Sequence, residues 1–232
     1  MSEFSRKKLK QDRFAEVVGQ EVAVFQRHKT AIIVGAVAVI AAIVGAFSYM
    51  TYRQTVAEEA TAAFLDAVRL YHGAVTTEPR PGRITFTTSG ERQRRVTEAF
   101  DAVLRDYPNR EEATGAEYYL GLMAVEQGDY DGARQKLEAA ISRGGNYAGL
   151  ARLVLADTYA QQGNVEEARK VYDALIANPT EIVPKERAKL ALARMLVDKD
   201  PAAARPILEE LMAEPGPVSV AAGSTMRQIE GS

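Results

Sequence analysis

Residues 118–133 read YYLGLMAVEQGDYDGA, and residues 153–168 repeat the pattern as LVLADTYAQQGNVEEA, thirty-five positions later. Each copy places an apolar helix before a glycine-centred turn and a second helix after it. A period in the mid-thirties is typical of helical repeat architectures. Glycine tolerates a positive φ, so Gly128 and Gly163 fit the turn between the two helices. The sequence therefore predicts at least two stacked helical hairpins.

Small residues recur at matching positions of the two copies. Gly121 and Ala156 lie on the first helix of each unit, and Ala133 and Ala168 lie on the second. Small side chains let two helices cross closely, so these positions predict where the two helices of each hairpin meet.

Related segments extend the repeat in both directions. A third, degenerate unit is predicted with its first helix at Pro184–Val197 and its second at Pro201–Met212, where Arg205-Pro206 is expected to interrupt the helix. Phe100–Asn109 resembles the second helix of an earlier unit. The fold class is therefore predicted as all-α, with an α-solenoid over residues 95–214.

The QGDYDGA segment at residues 127–133 resembles the turn signature of the tetratricopeptide repeat. Both units depart from that family at the first aromatic position, which holds Glu117 and Arg152. The resemblance implies a curved solenoid whose first helices line a concave, protein-binding face. Carried over by position, the groove residues would be Tyr118, Leu122, Val125, Glu126, Leu150, Leu153, Asp157 and Gln161.

Two interpretations of this face remain open. The mixture of apolar and acidic side chains suits an extended or helical peptide of a partner protein. Alternatively, Tyr118, Leu150 and Leu153 are simply buried against neighbouring helices. The Lys and Asn pairs with which some relatives hold a C-terminal carboxylate are missing here, so that activity is not expected.

A different segment predicts a membrane anchor. Ala31–Met50 is almost wholly apolar, and no residue between Thr30 and Tyr52 is charged. Twenty helical residues span about 30 Å, the thickness of a hydrocarbon core. The sequence therefore predicts one transmembrane helix over residues 30–52. Ala46-Phe47-Ser48 also resembles a signal-peptide cleavage site, although 29 residues precede the apolar run.

Charge predicts the orientation of that helix. Residues 1–29 carry seven basic and four acidic side chains, a net charge of +3, whereas the remaining chain carries −5. The positive-inside rule then places residues 1–29 in the cytoplasm and residues 53–232 across the membrane. A bacterial inner-membrane protein with a periplasmic C-terminal domain is the expectation.

Small residues also follow one stripe of the predicted transmembrane helix. Such a stripe lets membrane helices pack closely, although chance alignment explains it equally well in a segment rich in Ala and Gly. The stripe consists of Ala31, Gly35, Ala38, Ala42 and Gly45. Before it, Phe14, Val18, Val22 and Phe25 predict an amphipathic cytoplasmic helix.

Three other segments complete the predicted organisation. Residues 53–94 are expected to continue the membrane helix as far as His72 and then form a long loop. Arginines cluster around that loop, at Arg80, Arg83, Arg92, Arg94 and Arg95. Residues 215–232 are expected to form a flexible tail, or else to fill the groove.

Composition argues against most chemistry. The net charge of −2 does not favour a nucleic-acid partner, the absence of cysteine removes thiolate chemistry, and two histidines cannot form a three-histidine metal site. Phosphate loops, nucleophile elbows and dinucleotide fingerprints do not occur. We therefore expect no enzyme activity, no cofactor and no small-molecule substrate, and we expect other proteins and membrane lipid as partners.

A basic tail, one uncleaved span and an exported repeat domain together resemble the YfgM-like ancillary subunits of the SecYEG translocon. That resemblance implies a place beside the protein-conducting channel and contact with emerging substrates. The alternative is a structural accessory subunit of another bacterial membrane complex, with its groove permanently packed.

Overall fold

The computed structural model describes residues 3–78 and 81–231, with the side chains of residues 3–29 and residue 32 left aside. Arg80 and the side chains of the predicted amphipathic tail therefore lie outside the described residues. The chain divides into two compact units between Val56 and Ala57, and each is treated by itself.

Nine helices and two short strands make up the described residues. The first elements are α1 (Glu3–Tyr71), β1 (Ala74–Val75), β2 (Thr85–Phe86), α2 (Ser89–Asp106), α3 (Glu111–Glu126) and α4 (Tyr130–Arg143). They are followed by α5 (Asn146–Gln161), α6 (Val165–Ala177), α7 (Lys185–Val197), α8 (Pro201–Ala213) and α9 (Pro217–Glu230). The predicted all-α fold is confirmed, and the predicted long loop contains the two-residue parallel pairing of β1 with β2.

The first unit is helical throughout its described residues. From residue 33 to residue 50 its large apolar side chains are all well exposed, Phe47 most of all. A core helix of a globular domain would bury such side chains, so this helix does not belong to a core. It is long and apolar enough to cross a membrane.

The second unit consists of helical hairpins that pack in sequence. Helices α3–α4, α5–α6 and α7–α8 are antiparallel pairs, α2 packs on α3, and α9 packs on α7 and α8. The helices predicted for all three repeat units are confirmed in type and order.

The turns inside the first two hairpins share one geometry. Gly128 has a φ of +74° and Gly163 a φ of +78°. The amide of Asp129 donates to the Ala124 carbonyl at 2.9 Å, as that of Asn164 does to Tyr159 at 2.9 Å. The positive φ expected at these glycines is confirmed. Glycine suits both positions because a residue with a side chain would be strained in this conformation.

Close packing inside the first hairpin depends on Gly121. A Cβ atom built at this position would lie 2.8 Å from both Cγ and Cδ2 of Leu137, which is fully buried. The equivalent small residue of the next unit, Ala156, is fully buried, as are Ala133 and Ala168 on the second helices. The small residues that recur in the sequence therefore lie where the two helices of each hairpin cross.

Glu117, at the departure from the family pattern, is buried in spite of its charge. It is 8% exposed, and Lys136 Nζ of α4 lies 3.2 Å from its Oε2 atom. A buried carboxylate needs a paired cation. An ion pair across the α3–α4 hairpin thus stands at the position where the sequence departs from the tetratricopeptide resemblance.

Two expectations from the sequence were wrong, one about Pro206 and one about the C-terminal segment. Pro206 does not interrupt α8, which runs continuously through it. Both Pro206 and Ala202 are exposed, so the Ala202 carbonyl that loses its helical partner is open to solvent.

The C-terminal segment is not a flexible tail, because residues 217–230 form α9. Ala222 and Met226 of α9 are buried against Leu190, Leu208 and their neighbours. The helical spacing of its apolar residues gives α9 a face that covers the last hairpin, as end-capping elements do in solenoids.

Substituting Gly121 by Ala should destabilise the second unit. The new methyl group would overpack the Leu137 contact, at a cost of about 1–3 kcal/mol. Gly223→Ala in α9 is the matched control, because a Cβ there meets nothing within 4 Å and gains the same helix propensity. Thermal unfolding followed by circular dichroism should show a lower midpoint for Gly121→Ala than for Gly223→Ala. Equal midpoints would contradict the packing argument.

Candidate protein-binding groove

The first helices of the three hairpins, α3, α5 and α7, pack next to one another. Of the eight predicted groove residues, Leu153 is buried and Glu126 and Gln161 are exposed, while the other five are half-buried. The helical hairpin architecture therefore places the predicted positions on one row of helices, although their surroundings differ.

A cleft of about 470 Å³ lies between α5 and α7. Its lining comes from α5, α7 and one residue of α6: Leu153, Asp157, Ala160, Gln161, Tyr172, Arg187, Leu190, Ala191, Arg194 and Met195. Three predicted groove residues, Leu153, Asp157 and Gln161, are thus brought together here.

The floor of this cleft is held by a buried hydrogen bond. The Tyr172 hydroxyl, on a side chain that is only 1% exposed, donates to Oδ1 of Asp157. Burial raises the pKa of the Asp157 carboxyl, and this rise is opposed by the Tyr172 hydrogen bond and by the charges of Arg187 and Arg194. Burial and the neighbouring Asp157 raise the pKa of Tyr172 in turn. The pair fixes α6 to α5 directly beneath the cleft.

Leu150 and Leu153 contribute mainly to the core. Leu153 is 9% exposed and belongs to the cluster built from α5 to α8, and Leu150 packs against the same cluster. Their contribution to a ligand surface is therefore limited to the edges that face the cleft.

Tyr118 lies in a group of aromatic rings. Its ring centroid is 5.3 Å from that of Tyr119 and 5.7 Å from that of Tyr147, and both of these rings also contact Phe64. Such edge and tilted contacts stabilise packed aromatic pairs. Tyr118 thus joins α3 to the start of α5.

Glu126 does not line the cleft, and its side chain instead accepts hydrogen bonds from residues of α1 and α2. Its carboxylate accepts a hydrogen bond from the Tyr71 hydroxyl at 2.5 Å and one from Arg92 at 3.3 Å. Arg92 also donates to the Tyr71 carbonyl at 2.6 Å. Glu126 therefore ties the end of α3 to the ends of α1 and α2.

The two arginines of the cleft were missed by the sequence analysis. Arg187, Ala191 and Arg194 occupy positions i, i+4 and i+7 of α7 and so share one face of that helix. The spacing of these residues in the sequence would have predicted this face. It was missed because groove residues were assigned only in the first two repeat units, and α7 belongs to the third.

A second cleft of about 500 Å³ adjoins the first at Arg187. It lies between the start of α7 and the α8–α9 connection, and its charged lining is mainly acidic, with Glu181, Glu186 and Glu214. The two clefts therefore differ in the sign of their charged groups.

The predicted packing stripe of α1 is open within the first unit. Its five residues are exposed, and nothing lies within 4 Å of a Cβ built on Gly35 or Gly45. Among the residues whose side chains the structure describes (30–31, 33–78 and 81–231), no group of three carboxylate or imidazole side chains comes together as a metal site would require.

Two family models match the chain. One, described as a tetratricopeptide repeat-like domain, covers residues 23–146, which is more than half of the chain. The other, described as a tetratricopeptide repeat, matches residues 120–185 and 153–220. Comparison with curated proteins found no match. Comparison with solved structures found none either.

Tyr147 should titrate far above an ordinary tyrosine. Burial is the main cause that raises its pKa from 10.0 to about 12. Because the folded state holds the proton more tightly, this group's stabilisation is complete below pH 10 and is lost as the pH rises towards 12. The difference in tyrosinate absorbance between the native protein and Tyr147→Phe should show a step near pH 12. In denaturant the same difference should move to about pH 10, and a native step already at pH 10 would contradict the buried environment.

Proposed function

Because the chain belongs to the tetratricopeptide repeat-like domain family, we propose that it is a membrane-tethered adaptor that binds partner or client proteins through its repeat domain. Tetratricopeptide repeats form protein-interaction scaffolds, and the cleft between α5 and α7 is the binding surface in this proposal. The domain works on the extracytoplasmic side of a bacterial inner membrane, as an ancillary subunit of a protein translocon.

The open α5–α7 cleft carries this proposal. Its lining comes from α5, α6 and α7, while the C-terminal helix α9 packs on α7 and α8. The segment that the sequence offered as a groove filler is therefore used elsewhere. None of the described residues outside its lining fills this cleft, which favours an adaptor that binds a separate protein over a subunit whose groove is occupied by its own chain.

The apolar part of α1 supports the tether. Its exposed side chains from residue 33 to residue 50 lack a protein core to enter, and a bilayer would cover them. The family match that begins at residue 23 includes this stretch together with the first repeat. The stripe at Gly35 and Gly45 would then face a membrane partner's helix.

Single cysteines should report the proposed orientation. The natural chain contains no cysteine, so Ser5→Cys and Ser142→Cys each introduce a unique thiol. In spheroplasts, a membrane-impermeant maleimide should label Ser142→Cys, whereas Ser5→Cys should react only after lysis. The cysteine-free parent is the control for background. The opposite pattern would reverse the orientation, and loss of residue 5 from the mature protein would indicate a cleaved signal peptide instead of a tether.

Photo-crosslinking should reveal the partner. A benzoylphenylalanine at residue 191, in the cleft, should give protein adducts in native membranes that contain a translocon component. The same group at the exposed residue 202 of α8 is the matched control and should not give these adducts. If residue 191 gives none while residues 35 and 42 do, the structural-subunit alternative is supported. Recovery of no translocon component from any position would contradict the translocon proposal.

A further inference from the structure

We infer that the α5–α7 cleft selects partner segments that carry an aspartate or glutamate side chain, and that Arg187 and Arg194 bind this carboxylate. The inference rests on the adaptor function proposed above and specifies the chemistry of its ligand.

Charge is the first reason. The ionisable groups that line the cleft are two guanidinium groups, one carboxyl group and the Tyr172 phenol. Neither Arg187 nor Arg194 forms a salt bridge within the part of the chain that the structure describes. Seven of the fourteen other arginines whose side chains are described, such as Arg134 beside Asp131, do pair with a carboxylate. The cleft lining thus carries two positive charges against at most one negative charge, that of Asp157, which acts on both arginines without a salt bridge.

The state of Asp157 is the second reason. Its carboxyl group already accepts the Tyr172 hydroxyl, and burial raises its pKa. The internal acid is therefore held against the floor and does not form an ion pair with either guanidinium. Arg187 donates a hydrogen bond to the Ile182 carbonyl at 3.3 Å, and an incoming carboxylate would supply the salt-bridge partner that the described residues do not place at either arginine.

Position is the third reason. Arg187 and Arg194 lie two helical turns apart on α7, with Ala191 between them. The small side chain leaves room for a peptide backbone, while Leu153, Leu190 and Met195 offer apolar contacts beside it. Guanidinium groups bind carboxylates with paired, directional hydrogen bonds. The cleft therefore fits an acidic side chain flanked by apolar residues, within an internal segment of a protein.

The test uses full-length protein in detergent micelles and three pools of short capped peptides. The pools share apolar and small residues and differ only in containing Asp and Glu, Asn and Gln, or Lys and Arg. Capped ends remove terminal carboxylates. Charge-assisted hydrogen bonds should make the acidic pool bind at least about tenfold more tightly than the amide pool. Added salt should reduce this preference, because the two arginines are exposed.

Variants assign the preference to residues. Arg187→Gln and Arg194→Gln should each remove most of the preference for the acidic pool. Arg95→Gln on α2 is the matched control, because it removes the same charge at an exposed site outside the cleft and should retain the preference. Glu214→Gln, in the adjoining acidic cleft, should also leave it intact. Unfolding midpoints equal to that of the natural chain establish that each variant is folded.

The outcomes separate this inference from the adaptor proposal. Equal binding of the acidic and amide pools, or an unchanged preference in both arginine variants, would overturn the carboxylate assignment. Ala191→Trp fills the cleft, so loss of binding to every pool in this variant would still support the adaptor function. If Ala191→Trp leaves peptide binding unchanged, or if the natural chain binds none of the pools, both the carboxylate assignment and the adaptor proposal would be overturned.

Discussion

The contact of Gly121 with Leu137 is the constraint on which the repeat domain depends. A Cβ at residue 121 would overlap the Leu137 side chain, so α3 and α4 approach as closely as their backbones allow. Ala156 maintains the same close crossing in the next hairpin. Because each hairpin packs its first helix against the next first helix, the spacing inside one hairpin propagates along the row.

Turn geometry fixes the direction of each second helix. Gly128 and Gly163 both have a positive φ, and an equivalent backbone hydrogen bond follows each of them. Helices α4 and α6 therefore begin in equivalent ways after α3 and α5. This returns α3, α5 and α7 to one side of the domain. Second helices support the site from behind, as the Tyr172 hydroxyl on α6 does when it holds Asp157 at the floor of the cleft.

The sequence was informative where backbone geometry restricts the residue type. Glycines with positive φ and small residues at crossings leave a periodic record, and the first two hairpins were predicted from it; the third, which lacks a turn glycine, was predicted as a degenerate unit that follows them. Residues 215–232 were missed because a terminal segment is expected by default to be poorly ordered, whereas Pro217 begins α9. Glu126 was assigned to the groove by position, but its hydrogen bonds go to Tyr71 and Arg92, which repeat positions alone do not specify.

The chemistry of the groove lies where the repeat pattern is weakest. The packing positions of α7, such as Ala188 and Leu192, are buried and apolar. On its cleft face, Arg187 and Arg194 are exposed, so the core does not require these two residue types. Two arginines occupy that face beside a carboxyl group already bonded to Tyr172. Core packing therefore determines where the cleft lies, and in our proposal the exposed arginines of α7 determine what binds there.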